Sequence, residues 1–277
     1  MKRCITLFVF LFTMFGAFSI YAQSGLRMVT VEQRKPSKLP TVREADVIWK
    51  KTLWRIIDLR ERMNQNLYFP TQPIDTRKNL VSCLIEGIQN GEYLGFKPGE
   101  SPGDFSEPMT WGELVSSMQP GFANTMSPDS IPDDYNYQDN LDFTLVKQIM
   151  VKEVWFFNKQ SSIMEVRIEA LCPILIYPKD PLYPNQNLLK KLTFWVEYPE
   201  TRNLLCQRMV FNPYNEARSM SFDDVFINRR FDAYIIGEAN QYDNRFIIQY
   251  AKGEYALKEA KRIENEIFNW EQDVWEY

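Results

Sequence analysis

Residues 151–170 read VKEVWFFNKQSSIMEVRIEA, and this stretch decides the class of fold. Its second half alternates apolar and charged side chains: Met164, Val166, Ile168 and Ala170 share one face, and Glu165, Arg167 and Glu169 share the other. A period of two residues is typical of an antiparallel strand with one solvated face. The apolar run at 151–157 precedes the turn-like NKQS at 158–161, so the stretch predicts a β-hairpin.

Downstream of the hairpin, the sequence predicts a third strand. The segment LTFWVEY at 192–198 places Leu192, Phe194, Val196 and Tyr198 on one face. The connection before it contains Pro178, Pro181 and Pro184. We therefore expect a small antiparallel sheet that consists of the hairpin and this third strand.

Helices are predicted on the N-terminal side of the sheet. Thr41 and Glu44 fit the capping-box pattern, and a helix is expected from there to about Asn64. Its apolar residues at helical spacing are Trp49, Leu53, Ile56, Ile57 and Met63, and its solvated face is expected to carry Arg55, Arg60 and Arg62. A second helix is predicted at about 76–89, with Leu80, Leu84 and Ile88 on one face and Gly91 near its end.

The C-terminal segment predicts another helix. Its apolar residues step by four and three: Ala256, Ala260, Ile263, Ile267, Trp270 and Val274. The favoured interpretation is a helix docked on the core of its own chain, and the alternative is a helix that binds a partner. The predicted class is therefore α+β, with a small antiparallel sheet packed between N-terminal and C-terminal helices.

The order of segments predicts an exported protein. Residues 1–22 resemble a signal peptide, with positive charges at Lys2 and Arg3, an apolar run and a small residue at Ala22. Residues 23–40 are polar and predict a flexible arm, disordered or laid on a partner. The domain is expected at 41–277: a helical part at 41–94, an irregular proline-rich loop at 95–140 with one short helix capped by Thr110 and Glu113, and the sheet and C-terminal helices at 141–277.

Composition excludes several classes of function. The chain has no histidine, which removes Ser-His-Asp and Cys-His catalysis, histidine-based metal sites and the commonest general base. Any enzyme would therefore have to work with carboxylate, lysine, tyrosine or cysteine side chains, which disfavours catalysis, and no cofactor is predicted. Loss of Lys2 and Arg3 with the signal peptide changes the formal net charge from −4 to −6, which disfavours nucleic acid as a partner. Seven Trp, 14 Tyr and 19 Phe fit protein–protein surfaces, but carbohydrate stacking would use the same residues.

Cysteines and acidic clusters indicate no catalytic or metal site. Cys83, Cys172 and Cys206 are an odd number without CxxC spacing, which favours three buried thiols and leaves a Cys172–Cys206 disulfide as the alternative. The spacing of the loop acids does not match an EF-hand, so solvated charges are favoured and a secreted calcium-binding adhesin is the alternative; the acids are Asp133, Asp134, Asp139 and Asp142. Glu165 and Glu169 flank Arg167, which indicates charge alternation on a solvated strand face rather than a glycosidase pair.

Residues 221–231, SFDDVFINRRF, pair two aspartates with two arginines. Ser221 and Asp224 fit the start of a capped helix, Asp223 lies in its first turn, and Arg229 and Arg230 lie at its other end, where cations are favoured. We interpret the charges as helix-terminal rather than catalytic. We also predict that Arg229 or Arg230 reaches a neighbouring subunit.

Four blocks of sequence resemble the GldN/PorN family, the gliding-motility-associated proteins of the type IX secretion system of Bacteroidota. They are residues 46–71, 155–174, 210–246 and 257–277. The most specific parts are FNPYNEA at 211–217, followed by SFDDVF, and the final EQDVWEY at 271–277.

This resemblance implies a non-enzymatic structural subunit of a periplasmic ring. The implied partners are a GldK/PorK-like outer-membrane lipoprotein, the GldL/PorL-like and GldM/PorM-like motor proteins and further copies of the chain. The chain would be associated with the outer membrane through the lipoprotein, without membrane insertion of its own. The alternative is a periplasmic or surface carbohydrate-active or carbohydrate-binding protein that uses carboxylates and aromatic side chains.

Overall fold

The fold is built on an antiparallel sheet. The computed structural model describes residues 34–74, 77–99, 101–120, 128–132, 135–180, 182, 186–211 and 220–275. Within these residues the strands are β1 Val47–Asp58, β2 Val146–Asn158, β3 Ile163–Pro178, β4 Leu188–Leu192, β5 Val196–Glu197, β6 Met209–Val210, β7 Met220–Ser221 and β8 Tyr234–Glu238. The main sheet of the described part has six strands in the order β4-β3-β2-β1-β8, with β5 also paired to β3, and β6 and β7 form a separate pair.

Helices lie between and after the strands. In the described residues they are α1 Gln65–Tyr68, α2 Leu80–Gln89, α3 Trp111–Met118, α4 Tyr137–Asn140, α5 Tyr198–Leu205, α6 Phe222–Ile227, α7 Ile247–Tyr250 and α8 Glu254–Trp275. Two capping boxes were predicted upstream of the hairpin, at Thr41 and at Thr110, and the structure confirms one of them. The box of Thr110 and Glu113 at the start of α3 is confirmed, whereas Thr41 does not begin a helix, since the chain there forms only a 3-10 turn at Glu44–Asp46.

The predicted hairpin is confirmed as β2 and β3. The two strands pair in antiparallel fashion from Val146 to Asn158, with a bulge where Lys152 and Glu153 face Ala170 and Ile168. The bulge shifts the alternation by one residue, so that Ile168 and Leu171 lie in the same hydrophobic cluster. A bulge changes which face a side chain reaches, which a strict two-residue period does not foresee.

The prediction of a small three-stranded sheet gave too few strands. One reason is that the first predicted helix is a strand. Residues 47–58 form β1 in the middle of the sheet, paired with β2 on one side and β8 on the other. Both faces of β1 are covered, so its apolar residues do not alternate, and their spacing imitates a helix. The β-branched and aromatic content of VIWKKTLWRIID is typical of a buried strand.

The predicted third strand is divided. β4 ends at Leu192, and Thr193 then donates from its hydroxyl and its backbone N–H to the carbonyl oxygen of Pro173, at 2.8 and 3.1 Å. Phe194 and Trp195 are buried, β5 follows, and Tyr198 begins α5. The apolar pattern of 192–198 therefore reports burial in two short elements rather than one strand.

The two faces of the sheet have different covers. On one face, α2, α3, α5 and α6 contribute to the largest hydrophobic cluster together with Ile57, Val151 and Leu171 of the sheet. On the other face, Trp54 packs with Phe96 and Trp195. Part of the predicted irregular loop lies here, since the Trp54 indole N–H donates to the carbonyl oxygen of Pro102 at 3.1 Å.

The C-terminal helix docks on its own chain, as favoured from the sequence. Ile263 and Ile267 are buried against Leu53, and Ala256 and Ala260 pack beside them. Trp270 stacks on Trp49 with ring centroids 4.9 Å apart. The side chain of Val274 lies outside the described part of the chain.

The described end of the predicted arm, residues 34–40, contacts its own chain. The Arg202 guanidinium donates to the carbonyl oxygen of Ser37 at 2.8 Å, and the Arg167 guanidinium donates to that of Pro40 at 3.2 Å. The Cys206 thiol donates to the carbonyl oxygen of Arg34 at 3.2 Å. The predicted signal peptide and residues 23–33 lie outside the described residues.

Candidate functional site

The helix start at Ser221 has the predicted capping box. The Ser221 hydroxyl accepts from the backbone N–H of Asp224 at 3.1 Å, and the Asp224 carboxylate accepts from the backbone N–H of Ser221 at 2.9 Å. These two bonds satisfy donors that the first turn of a helix leaves unpaired. The prediction of a capped helix is therefore confirmed for α6.

Arg229 lies in a buried charge cluster rather than on an open surface. Its guanidinium is 3.1 Å from the Glu153 carboxylate, whose side chain has 0% exposure. Arg55 is 3.8 Å from the same carboxylate, and the Trp155 indole N–H donates to it at 3.0 Å. The Arg229 guanidinium also lies over the rings of Trp155 and Phe231, at 5.4 and 5.3 Å. We call Arg55, Glu153 and Arg229 the Glu153 cluster.

Arg229 occupies a backbone conformation that ordinarily favours glycine. Its φ of 49° is in the left-handed region, at a position after a helix where glycine is common. The turn is closed by the Arg230 N–H, which donates to the Val225 carbonyl oxygen at 2.8 Å. A side chain at this position costs some backbone energy, and here that side chain supplies the nearest cation to a buried carboxylate.

Two guanidinium groups share the single carboxylate of the Glu153 cluster. Burial lowers the pKa of Arg55, and the charge of Glu153 opposes this effect. A guanidinium titrates so far above neutral pH that Arg55 remains a cation. It donates to the carbonyl oxygen of Ala233, while its Nε atom is buried without a hydrogen-bond acceptor. The sequence analysis placed Arg55 on a solvated helix face, which was wrong because β1 is an inner strand.

Arg230 has a different environment from its neighbour. It is exposed, and its guanidinium contacts the Met220 sulfur at 3.5 Å. Of the two residues predicted to reach another subunit, Arg230 therefore has the accessible charge.

Asp223, in the first turn of α6, belongs to a second buried ion pair. Asp223 accepts from the Arg202 guanidinium at 2.9 and 3.0 Å and from the Tyr198 hydroxyl at 2.6 Å. The two-point contact with arginine matches the geometry of a carboxylate. Arg202 also holds Ser37 of the arm, so this buried pair connects α5, α6 and the N-terminal segment. Burial, followed by the charge of Asp223, raises the pKa of Tyr198, which keeps its hydroxyl protonated as a donor.

The other acidic candidates are separate. Glu165 pairs with Arg167 at 2.9 Å, and Glu169 pairs with Lys152 at 3.1 Å, so each carboxylate has its own cation. Asp142 accepts from the backbone N–H of Thr144 and caps a short turn. Asp133 and Asp134 lie outside the described residues, as does the side chain of Asp139. In the part of the chain that is described, no group of three or more metal-ligating side chains is found.

All three cysteines of the described chain are buried free thiols, which is the interpretation favoured from the sequence. Burial raises the pKa of Cys83 and of Cys172 to about 12. The alternative Cys172–Cys206 disulfide is not formed.

A groove runs beside α8, with a cavity volume of about 440 Å³. The sheet and the residue before β8 contribute Leu53, Arg55, Trp155, Ala233, Tyr234 and Ile235, and α8 contributes Leu257, Ala260, Lys261, Glu264, Ile267, Phe268 and Glu271. Arg55 connects this α8 groove to the Glu153 cluster. The sequence analysis did not identify the groove, although Glu153, which directly precedes the apolar run VWFF at 154–157, is a signal of a buried pair.

These observations define a mixed α/β protein whose described buried charges are paired within the chain and whose open groove is bounded by a C-terminal helix. Comparison with known protein families shows to which family the chain belongs. Residues 42–276 match the family described as "Gliding motility associated protein GldN", and the chain therefore belongs to the GldN family. A comparison with curated protein sequences gave no match. Across the described residues, no helix is both long and apolar enough to cross a membrane.

Proposed function

We propose that the chain is a non-enzymatic structural subunit of a periplasmic ring in the type IX secretion and gliding machinery, assembled with a GldK/PorK-like outer-membrane lipoprotein. The observation that carries this proposal is the match to the GldN family over residues 42–276, nearly the whole of the predicted domain. Members of this family are components of gliding motility. The resemblance of the chain to them implies the ring, the lipoprotein and the GldL/PorL-like and GldM/PorM-like motor proteins.

The chemistry of the described core supports a structural role. The carboxylates of Glu153 and Asp223 are each held by arginine, and Tyr198 is held as a donor to Asp223. Groups engaged in this way stabilise packing. The predicted signal peptide supports a periplasmic location, with attachment to the outer membrane through the lipoprotein.

Arg230 is the residue we propose for a subunit contact. It is exposed at the end of α6, whereas Arg229 beside it is committed to Glu153. Arginine is enriched at protein interfaces because its planar group makes several donor contacts.

The proposal is tested by deletion of the gene in the encoding bacterium, followed by complementation. We expect deletion to abolish export of cargo proteins and the wild-type chain to restore it. Complementation with Arg230→Glu is expected to leave the monomer folded and to impair assembly, with Lys252→Glu, a charge reversal at another exposed site, as the matched control. Normal export in the deletion strain, together with a chain that remains a soluble monomer without partners, would contradict the proposed function.

A further inference from the structure

The outer side of α8 carries apolar side chains that the described residues of its own chain leave exposed. Leu257 has 73% exposure and Phe268 has 57%, although both line the α8 groove. On the inner side, Ile263 and Ile267 fill the core. The helix therefore has a second, exposed stripe that is apolar at its two ends, and burial of these apolar side chains against another protein is favourable.

The order of residues in this stripe is symmetric. The exposed α8 residues that line the groove are Leu257, Lys261, Glu264 and Phe268, with steps of four, three and four residues. These steps keep the four side chains on one face of a helix, in the spacing of helices that pack side by side. The centre lies between Lys261 and Glu264, with a leucine on one side and a phenylalanine on the other.

We propose that the α8 groove binds the α8 helix of a second copy of this chain, in an antiparallel pair about a two-fold axis. In this arrangement Leu257 of one copy meets Phe268 of the other, and Lys261 meets Glu264. A two-fold contact repeats every pair, because residue i of one copy contacts residue j of the other and the reverse. One symmetric pair of helices therefore gains two apolar contacts and two ion pairs.

Charge favours this occupant over a strongly acidic or basic ligand. The groove itself is lined by Arg55 and Lys261 and by Glu264 and Glu271, so the two signs are balanced. A parallel pair of helices would place Lys261 against Lys261 and Glu264 against Glu264. Only the antiparallel pair brings opposite charges together at the centre of the stripe.

The contact is independent of the proposed ring. Rings close through head-to-tail contacts between different surfaces, whereas this contact uses the same surface on both copies. It is also measured on the purified chain without the lipoprotein. A negative result would therefore remove the α8 pair and leave the proposed function in place.

The sharpest experiment mixes two charge variants. In Lys261→Glu both central positions are acidic, and in Glu264→Lys both are basic, so each variant opposes its own pairing and complements the other. We expect each alone to dimerise more weakly than the wild type, by about tenfold, since two exposed ion pairs become two repulsions. An equimolar mixture is expected to recover dimerisation. Sedimentation velocity of the mature chain over a range of concentrations measures all three samples.

The mixture isolates contacts between copies. In the monomer, Lys261 and Glu264 also pair with each other at 2.8 Å, and both variants lose this pair. The mixture contains the same two chains as the separate samples, so any gain in association comes from contacts between them. Lys252→Glu, an exposed reversal outside the stripe, is the matched control and is expected to dimerise like the wild type. Far-ultraviolet circular dichroism and thermal unfolding show that each variant is folded.

Cysteine cross-linking tests the direction of the helices. A mixture of Leu257→Cys and Phe268→Cys chains is expected to cross-link more than either variant alone, and the native thiols of Cys83, Cys172 and Cys206 are buried. A monomeric wild type, charge variants that dimerise like the wild type, a mixture without recovery, or stronger cross-linking of Leu257→Cys with itself would each overturn the proposal.

Discussion

Replacement of Arg229 by methionine is expected to destabilise the protein far more than the same replacement at Arg230. Arg229→Met removes the cation nearest to Glu153, whose carboxylate has 0% exposure. Removal of one partner of a buried ion pair costs about 3–5 kcal/mol. Arg55 remains 3.8 Å from the carboxylate and offsets part of this cost.

Two further terms enter the estimate. The Arg229 guanidinium lies 5.4 Å from the Trp155 ring and 5.3 Å from the Phe231 ring, and each such contact contributes about 0.5–1 kcal/mol. Methionine keeps the apolar part of the side chain and recovers some of this packing. We therefore expect a loss of about 3 kcal/mol for Arg229→Met. At exposed Arg230 we expect a change within about 0.5 kcal/mol.

Urea unfolding followed by tryptophan fluorescence measures both variants, and Trp155 places a fluorophore in the cluster. The double variant Glu153→Gln with Arg229→Met is expected to lose less than the sum of the two single losses, because the two residues are in contact. Equal losses at Arg229 and Arg230, or an additive double variant, would refute the account of the Glu153 cluster.

Three other predictions concern buried groups. Arg202→Met is expected to destabilise the chain by about 3 kcal/mol or more, because it leaves buried Asp223 without its cation, and to speed hydrogen exchange at residues 37–39; unchanged exchange there would contradict the link between the pair and the arm. The hydrogen bond from Arg60 lowers the pKa of Asp58 from 3.8 to about 2, so its contribution to stability is present above pH 3.8 and is lost as pH falls toward 2. Acid titrations of the wild type and Asp58→Asn measure this difference, and identical unfolding curves below pH 4 would contradict it. Burial raises the pKa of the Cys83 and Cys172 thiols to about 12, so a thiol reagent at pH 8 is expected to label them only after unfolding, and rapid labelling of the native protein would show that they are accessible.

Local signals in the sequence identified several elements because each depends on neighbouring residues. The hairpin of β2 and β3, the capping box at Ser221 and the helix seam through Ile263 and Ile267 are all confirmed. Each has a short repeat or a fixed spacing that acts within one element. Such patterns survive in the fold unless tertiary contacts oppose them.

The nature of β1 depended on contacts that are distant in sequence. Strand β8, at 234–238, covers one edge of β1, and α8 covers one of its faces. With two covered faces the apolar residues lose their alternation, and Trp49, Leu53 and Ile56 imitate a helix. No window of 11–18 residues contains the partners that decide this element.

The Glu153 cluster was hidden for the same reason. Arg55, Glu153 and Arg229 come from three distant segments, and each has an ordinary local explanation as a surface or helix-terminal charge. Arg229 was predicted to lie at the C-terminal end of a helix, where cations are favoured, and it does follow α6. The partner of Arg229 is Glu153, which lies on β2 opposite Leu53 of β1. Local sequence patterns do not give the register of these two strands, so they do not show that Glu153 is buried beside Arg55.

Isolation of the chain from the outer-membrane fraction of the encoding bacterium tests the central claim most directly. A tagged wild-type chain, purified after gentle cross-linking, is expected to bring down a GldK/PorK-like lipoprotein in stoichiometric amount and to form ring-shaped particles in electron micrographs. A chain recovered alone from the periplasmic fraction, without the lipoprotein and without rings, would contradict the proposed structural role.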